Sequence, residues 1–232
     1  MAFEGFRPQA LDFLVENRIQ NSREWFESHR SVYDELVLTP MRELVKALTP
    51  AMLAIDPELT VSPTVNKTIS RIYRDTRFSH DKSLYRDWMW ITFMRRKRFW
   101  EGLPGFYFVF GPDGMEIGVG YYEATPAAMD CFRQMVLRSE PAFRRMRAAY
   151  NKLKDFTVHA PRYKRTKYPD ASEAARFWLD LRNLDFEKTS TDFERLFSPR
   201  LADELADDFT RLKPMYDFIC AVEARRKRDS AE

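Results

Sequence analysis

Two apolar runs, 106–110 (FYFVF) and 115–122 (MEIGVGYY), flank Gly111-Pro-Asp-Gly114. The runs are β-branched and aromatic, and the four residues between them supply the fixed and permissive φ values of a tight turn. A β-hairpin over about 106–122 is therefore the constraint the rest of the chain must satisfy. Segments 67–78 and 88–93 (WMWITF) have strand composition and are expected in the same sheet. Further strands are expected at 156–160 and 184–190.

Around this centre the punctuation is helical. Thr-Pro or Ser-Pro, an N-cap followed by proline at the first helical position, occurs at Thr39-Pro40, Thr49-Pro50, Thr125-Pro126 and Ser198-Pro199. Helices are expected near 41–48, 51–55, 126–138 and 199–226, with others at 141–153 and 171–182. At the N-terminus, 8–19 places Ala10, Phe13, Leu14 and Asn17 on one face. Asn21-Ser-Arg-Glu24 then carries the capping residue and later Glu of a capping box, ahead of a long helical pattern through Val37. Helices before and after a hairpin-built sheet predict an α+β fold, with an antiparallel or mixed sheet between N-terminal and C-terminal helices. No Gly/Ser linker or repeat divides the 232 residues, so a single domain over 1–232 is expected, with about 227–232 as a disordered tail.

Composition excludes several classes. Hydrophobic residues make up 44% of the chain, enough for a sizeable core, which rules out a wholly disordered protein. The two cysteines, Cys131 and Cys220, cannot form a disulfide scaffold and have no metal-knuckle spacing. His29, His80 and His159 are scattered, so no metal site is expected. No apolar run reaches the length of a membrane span, and the start lacks the apolar core of a signal peptide. A cytoplasmic protein with no membrane partner is the expectation.

Net charge is only +3, but it is unevenly placed. Residues 71–100 carry nine Lys/Arg against three Asp/Glu, and 138–168 carry ten against two, leaving the remainder net negative. Within 70–86 (SRIYRDTRFSHDKSLYR), Arg71, Arg74, Arg77 and Lys82 lie among Asp75, Asp81, Tyr73 and Tyr85. Guanidinium groups pair bidentately with phosphate or carboxylate, so converging arginines make an anion site. Lys82 would add a point charge, Tyr73 and Tyr85 would line the site, and Lys164 could join from the second basic segment. Asp75 and Asp81 would orient the arginines or, if chemistry occurs, act as general base. The competing reading is an internal Arg–Asp network with no ligand.

A second functional class is a nucleic-acid or protein interaction module on the basic aromatic segments 95–100 (RRKRFW) and 162–168 (RYKRTKY). The latter pattern equally suits an exposed loop. Cys131 is expected as a small buried hydrophobe and Trp25 as a core anchor. No motif identifies a cofactor, a reaction or an oligomeric state.

The pair Asn21-Ser-Arg-Glu-Trp-Phe26 and Ser70-Arg-Ile-Tyr-Arg-Asp-Thr-Arg-Phe-Ser79, with Asp81-Lys-Ser83 and Tyr85, resembles a widespread bacterial and fungal family of conserved domains of unknown function. The likeness runs from Phe3-Glu-Gly-Phe6 through Arg162-Tyr-Lys-Arg165 to the last helix. It implies that the two motifs belong to one shared structure, and it implies no activity. The chain departs from that pattern at Leu84, where the family usually has proline, and at Arg86, where it usually has lysine. The stretch 95–100 is a local elaboration.

Overall fold

The computed structural model describes residues 2–77, 79–95 and 103–229. It is an α+β structure built on a five-stranded antiparallel sheet, with helices before and after it in sequence. Strands β1 (Met89–Met94), β2 (Pro104–Gly111), β3 (Gly114–Tyr121), β4 (Thr157–Val158) and β5 (Asp185–Ser190) lie in the order β1-β2-β3-β5-β4. The hairpin expected around Gly111–Gly114 is β2–β3. Strand β4 is only two residues long, with Thr157 opposite Glu187 and Val158 opposite Phe186.

The N-terminal helices are α1 (Pro8–Gln20), α2 (Arg23–Ser28), α3 (Arg30–Tyr33) and α4 (Thr39–Ile55), with one π-type turn over Asp34–Leu38 joining the last two. That widened turn immediately precedes Pro40, whose ring would otherwise strike the carbonyl four residues back. The restart expected at Thr49-Pro50 does not occur, because α4 runs through Pro50. Pro50 and Lys46 are both exposed, so the carbonyl left without an N–H partner faces water. The remaining helices are α5 (Pro126–Leu137), α6 (Pro141–Tyr150), α7 (Glu173–Leu179), α8 (Phe193–Leu196) and α9 (Leu201–Asp229). Residues 227–229 are helical, and 230–232 lie outside the described residues. Among the described residues no helix is long and apolar enough to cross a membrane.

Contacts divide the chain into two compact units. The first comprises Met1–Phe93, Tyr107–Ile117 and Thr189–Asp208. Phe6 packs on Phe110 with ring centroids 4.3 Å apart, and its N–H donates to the Leu196 carbonyl. A second aromatic cluster joins Phe26 to Tyr33, Tyr73 and Tyr85. The second unit comprises Met94–Phe106, Gly118–Lys188 and Phe209–Glu232. In it, Phe106 meets Phe209 and Tyr216, while Trp178 sits among Phe143, Tyr150 and Phe186.

Segment 67–78 is not a strand. Among its described residues only isolated bridges form, Ile69 with Val65 and with Ile91, and Tyr73 with Tyr85. Side chains in the following turn capture the backbone instead. An Asp75 oxygen accepts the Arg77 N–H at 3.2 Å, and an Asp81 oxygen accepts the Ser83 N–H at 2.9 Å. Such local bonds compete with a ladder and keep the chain irregular.

Candidate functional site

The basic motif folds into an irregular hairpin in the first unit. Arg74 N–H donates to the Leu84 carbonyl at 2.9 Å, and Arg86 N–H donates to the Ile72 carbonyl at 3.0 Å. Those two bonds close the base, and ionic contacts shape the tip. Arg77 donates from Nε to one Asp75 oxygen at 3.0 Å and from Nη2 to the other at 2.7 Å. Asp81 accepts from Arg74 Nη1, from Arg18 Nη2 at 3.3 Å and from the Ser83 hydroxyl at 2.5 Å. Lys82 Nζ donates to the Thr76 carbonyl at 2.8 Å. Phe78 lies outside the described residues.

The end of α1 braces this hairpin. Arg18 reaches Asp87 at 2.9 Å as well as Asp81. Asn21 ends α1 in the left-handed conformation, φ 47°, which asparagine tolerates better than most residues. Its Oδ1 accepts the Leu84 N–H at 2.6 Å. The helix cap is therefore Ser22, whose hydroxyl accepts the Trp25 N–H at 3.3 Å, and Asn21 is released to hold the hairpin. One side chain of the first motif thus fixes the backbone beside the second.

Beneath the hairpin, Tyr85 is fully buried and Tyr73 is partly exposed, with rings 5.1 Å apart and both against Phe26. Among the described residues the Tyr85 hydroxyl has no hydrogen-bond partner, and neither amide atom of the fully buried Asn17 has one. Trp25 packs on Phe13 and stacks on His29 at 4.1 Å.

The electrostatics follow from these bonds. The Arg77 guanidinium holds the Asp75 carboxyl down to about 2. The Ser83 hydroxyl and N–H, with the Arg74 guanidinium, hold Asp81 well below the usual carboxylate range. Burial, reinforced by the Tyr73 phenol, pushes Tyr85 up to about 12. Near neutral pH both aspartates are firmly ionised acceptors of guanidinium N–H, a state that suits positioning better than proton abstraction.

Within the hairpin, then, Arg77 meets Asp75, Arg74 meets Asp81 and Lys82 meets the Thr76 carbonyl, while Tyr73 and the buried Tyr85 pack on Phe26. Arg71 is exposed, forms no ion pair among the described residues, and acts on Asp75 through space. Arg18 and the bonding role of Asn21 escape a reading of the sequence alone.

Lys164 belongs to the second unit. It lies on the segment 162–168, anchored where Tyr163 N–H donates to the Asp180 carbonyl at 2.9 Å and Arg182 N–H to the Pro161 carbonyl at 2.8 Å. The Tyr163 ring is approached by Lys167 at 4.6 Å, Arg133 at 5.3 Å and Arg182 at 5.8 Å. Lys164 and Arg165 remain exposed. In the other basic aromatic segment, 96–100 lies outside the described residues. Cys131 is buried, its thiol donating to the Val222 carbonyl and raised in pKa by that burial. Among the described residues no group of three or more His, Cys, Asp or Glu could hold a metal ion.

With this geometry in place, the chain is assigned: residues 9–218 match the model of the conserved hypothetical protein family DUF2461, and the protein belongs to that family. No curated protein matches the chain.

Proposed function

We propose that the 70–86 hairpin, braced by the end of α1, holds the phosphate or carboxylate group of a small ligand. The observation that carries this reading is the uneven pairing of its charges. Asp75, Asp81 and Asp87 are each engaged by an arginine, whereas Lys82 donates to a neutral carbonyl and Arg71 forms no ion pair among the described residues. The aspartates fix Arg77, Arg74 and Arg18 in place, and Arg71 and Lys82 supply the charge that an anion neutralises. Guanidinium groups already positioned by carboxylates lose little freedom when an anion arrives. Tyr73, partly exposed, adds a hydroxyl donor.

A thermal-shift series with inorganic phosphate, sugar phosphates, nucleotides and dicarboxylates tests this. A ligand at 100 times its Kd adds about 2.7 kcal/mol of stability. The expected result is a dose-dependent rise with one of these anions that is lost in Lys82→Ala and Arg71→Ala proteins of unchanged fold. No rise with any of them, together with lower melting of Arg74→Ala and Arg77→Ala, would leave the hairpin as an internal ionic brace.

A second reading concerns the second unit. The exposed Lys164 and Arg165 lie in 138–168, which carries ten basic against two acidic residues, and this favours contact with a nucleic-acid backbone. The cations already gathered on Tyr163 favour phosphate contacts over base stacking there. Such binding falls steeply with salt, with a slope set by the phosphates contacted, while a compact anion pocket responds less steeply.

A further inference from the structure

A cleft of about 600 Å³ opens in the first unit at the turn between β2 and β3, within the range of small-molecule sites. Its shape is held by close backbone approach. A Cβ at Gly111 would come within 2.9 Å of the Trp88 Cβ, and one at Gly114, where φ is +136°, within 2.6 Å of the Ser190 carbonyl oxygen. Gly114 thus combines a conformation that other residues rarely adopt with a contact that none could make. The turn is seated between Trp88 and Ser190, and the walls are preformed.

The lining is chemically opposite to the arginine hairpin. None of its residues is Lys or Arg, although the Arg86 guanidinium lies over the Trp88 ring, 5.2 Å from its centroid. Its polar groups are the carboxylates of Asp87, Asp113 and Glu116 and the hydroxyls of Thr189, Ser190 and Thr191. Arg18 meets the charge of Asp87, and Asp113 stands exposed in the turn. The indole of Trp88, 43% exposed, stacks on Trp90 with centroids 5.0 Å apart and adds an apolar surface to the cleft lining. An apolar plate beside hydroxyls and carboxylate acceptors matches a molecule with C–H groups on one face and O–H donors around its edge.

We propose that this cleft binds a neutral polyhydroxyl ligand, a sugar ring, with its C–H face on Trp88 and its hydroxyls donating to Asp113 and exchanging hydrogen bonds with the Thr189–Thr191 run. The proposal rests on Trp88, Asp113 and the 189–191 run, none of which the hairpin reading uses.

The test is an NMR titration of the full chain with D-glucose, D-galactose, N-acetyl-D-glucosamine and maltose, and separately with putrescine and inorganic phosphate. At least one sugar should shift the Trp88 indole N–H and the Gly111 and Gly114 amides saturably. Asp113→Ala, at an exposed turn position, should keep the fold and weaken that sugar about tenfold, as the loss of one hydrogen bond to a charged group does. Trp88→Leu should abolish the shifts, and Lys82→Ala should leave them unchanged. The proposal fails if no sugar shifts these signals, if putrescine or phosphate does so instead, or if Asp113→Ala binds the sugar as tightly as the unaltered protein.

Discussion

The chain contains two hairpins built on opposite principles. The β2–β3 hairpin is a ladder: Phe106, Phe108 and Phe110 are fully buried, alternating with partly exposed Tyr107 and Val109, and a glycine-bounded turn closes it. The 70–86 hairpin has two backbone bonds at its base and a tip held by Asp–Arg pairs and by aspartates that cap backbone N–H groups. The first is stabilised by removing apolar area from water, which salt and pH barely touch. The second is held by exposed charges, which both conditions alter. A fold needs the first kind of hairpin. A surface that meets a charged ligand needs the second, because its groups must stay polar, fixed and accessible.

The largest effect should come from breaking the ladder. Phe110→Ala, which empties a fully buried site against Phe6 and Phe108, is expected to cost about 3–5 kcal/mol in chemical denaturation. A loss below about 1 kcal/mol would mean that this hairpin is not the core element described here.

The same contrast explains what was legible in the sequence. Apolar alternation around Gly111–Gly114 marks a ladder hairpin, and Thr125-Pro126 marks the start of α5, because these signals act within a few residues. Segment 67–78 has strand composition, yet Asp75 captures the Arg77 N–H within it, and the returning arm of its hairpin is held at Leu84 by Asn21, 63 positions away. Nothing local announces such a bond. The candidate site residues were visible as a cluster of charge. Which of the cations meet a carboxylate was not, since that depends on which carboxylate reaches which arginine. Pro50 misleads for a related reason: a proline on the solvent face of an amphipathic helix costs a bond that water replaces.

A smaller effect is expected at the brace between α1 and the ionic hairpin. Asn21→Ala loses the bond to Leu84 and puts alanine at φ 47°, at a cost of about 1–2 kcal/mol. Asn21→Gly keeps the conformation and loses only the bond, so it should cost less. Amide exchange at Leu84 should accelerate in both variants, and equal costs would contradict the conformational part of the argument.

Acid should separate the hairpins without unfolding the ladder. Asp75 and Asp81 have folded pKa values below the ordinary 3.8, so their contribution is fully present above that value. It is lost as pH falls through the folded values, about 2 for Asp75 and lower for Asp81. Carboxyl titration by NMR should show both midpoints depressed, with Ser83 amide protection lost over that range and Phe108 protection retained. Ordinary midpoints would remove the Asp–Arg pairing from the account.

The smallest expected effect is from Asp81→Asn. The ladder and the aromatic cluster remain, so the melting temperature should hardly move, while exchange at Ser83 and Leu84 quickens. A large drop in melting temperature would show that the ionic tip supports the fold and is not a surface feature.

On the proposed reading, the charges of 70–86 divide into a scaffold fixed by Asp–Arg pairs and the two cations, Arg71 and Lys82, that meet an anion. The most direct test of that reading is an NMR titration with inorganic phosphate that follows the side-chain signals of Arg71, Arg74, Arg77 and Lys82 together. Saturable shifts are expected at Arg71 and Lys82 and smaller ones at Arg74 and Arg77, with the Asp75–Arg77 and Asp81–Arg74 pairs unbroken at saturation. Shifts confined to Arg74 and Arg77 with their aspartates released, or no shift at any of the four, would contradict the reading.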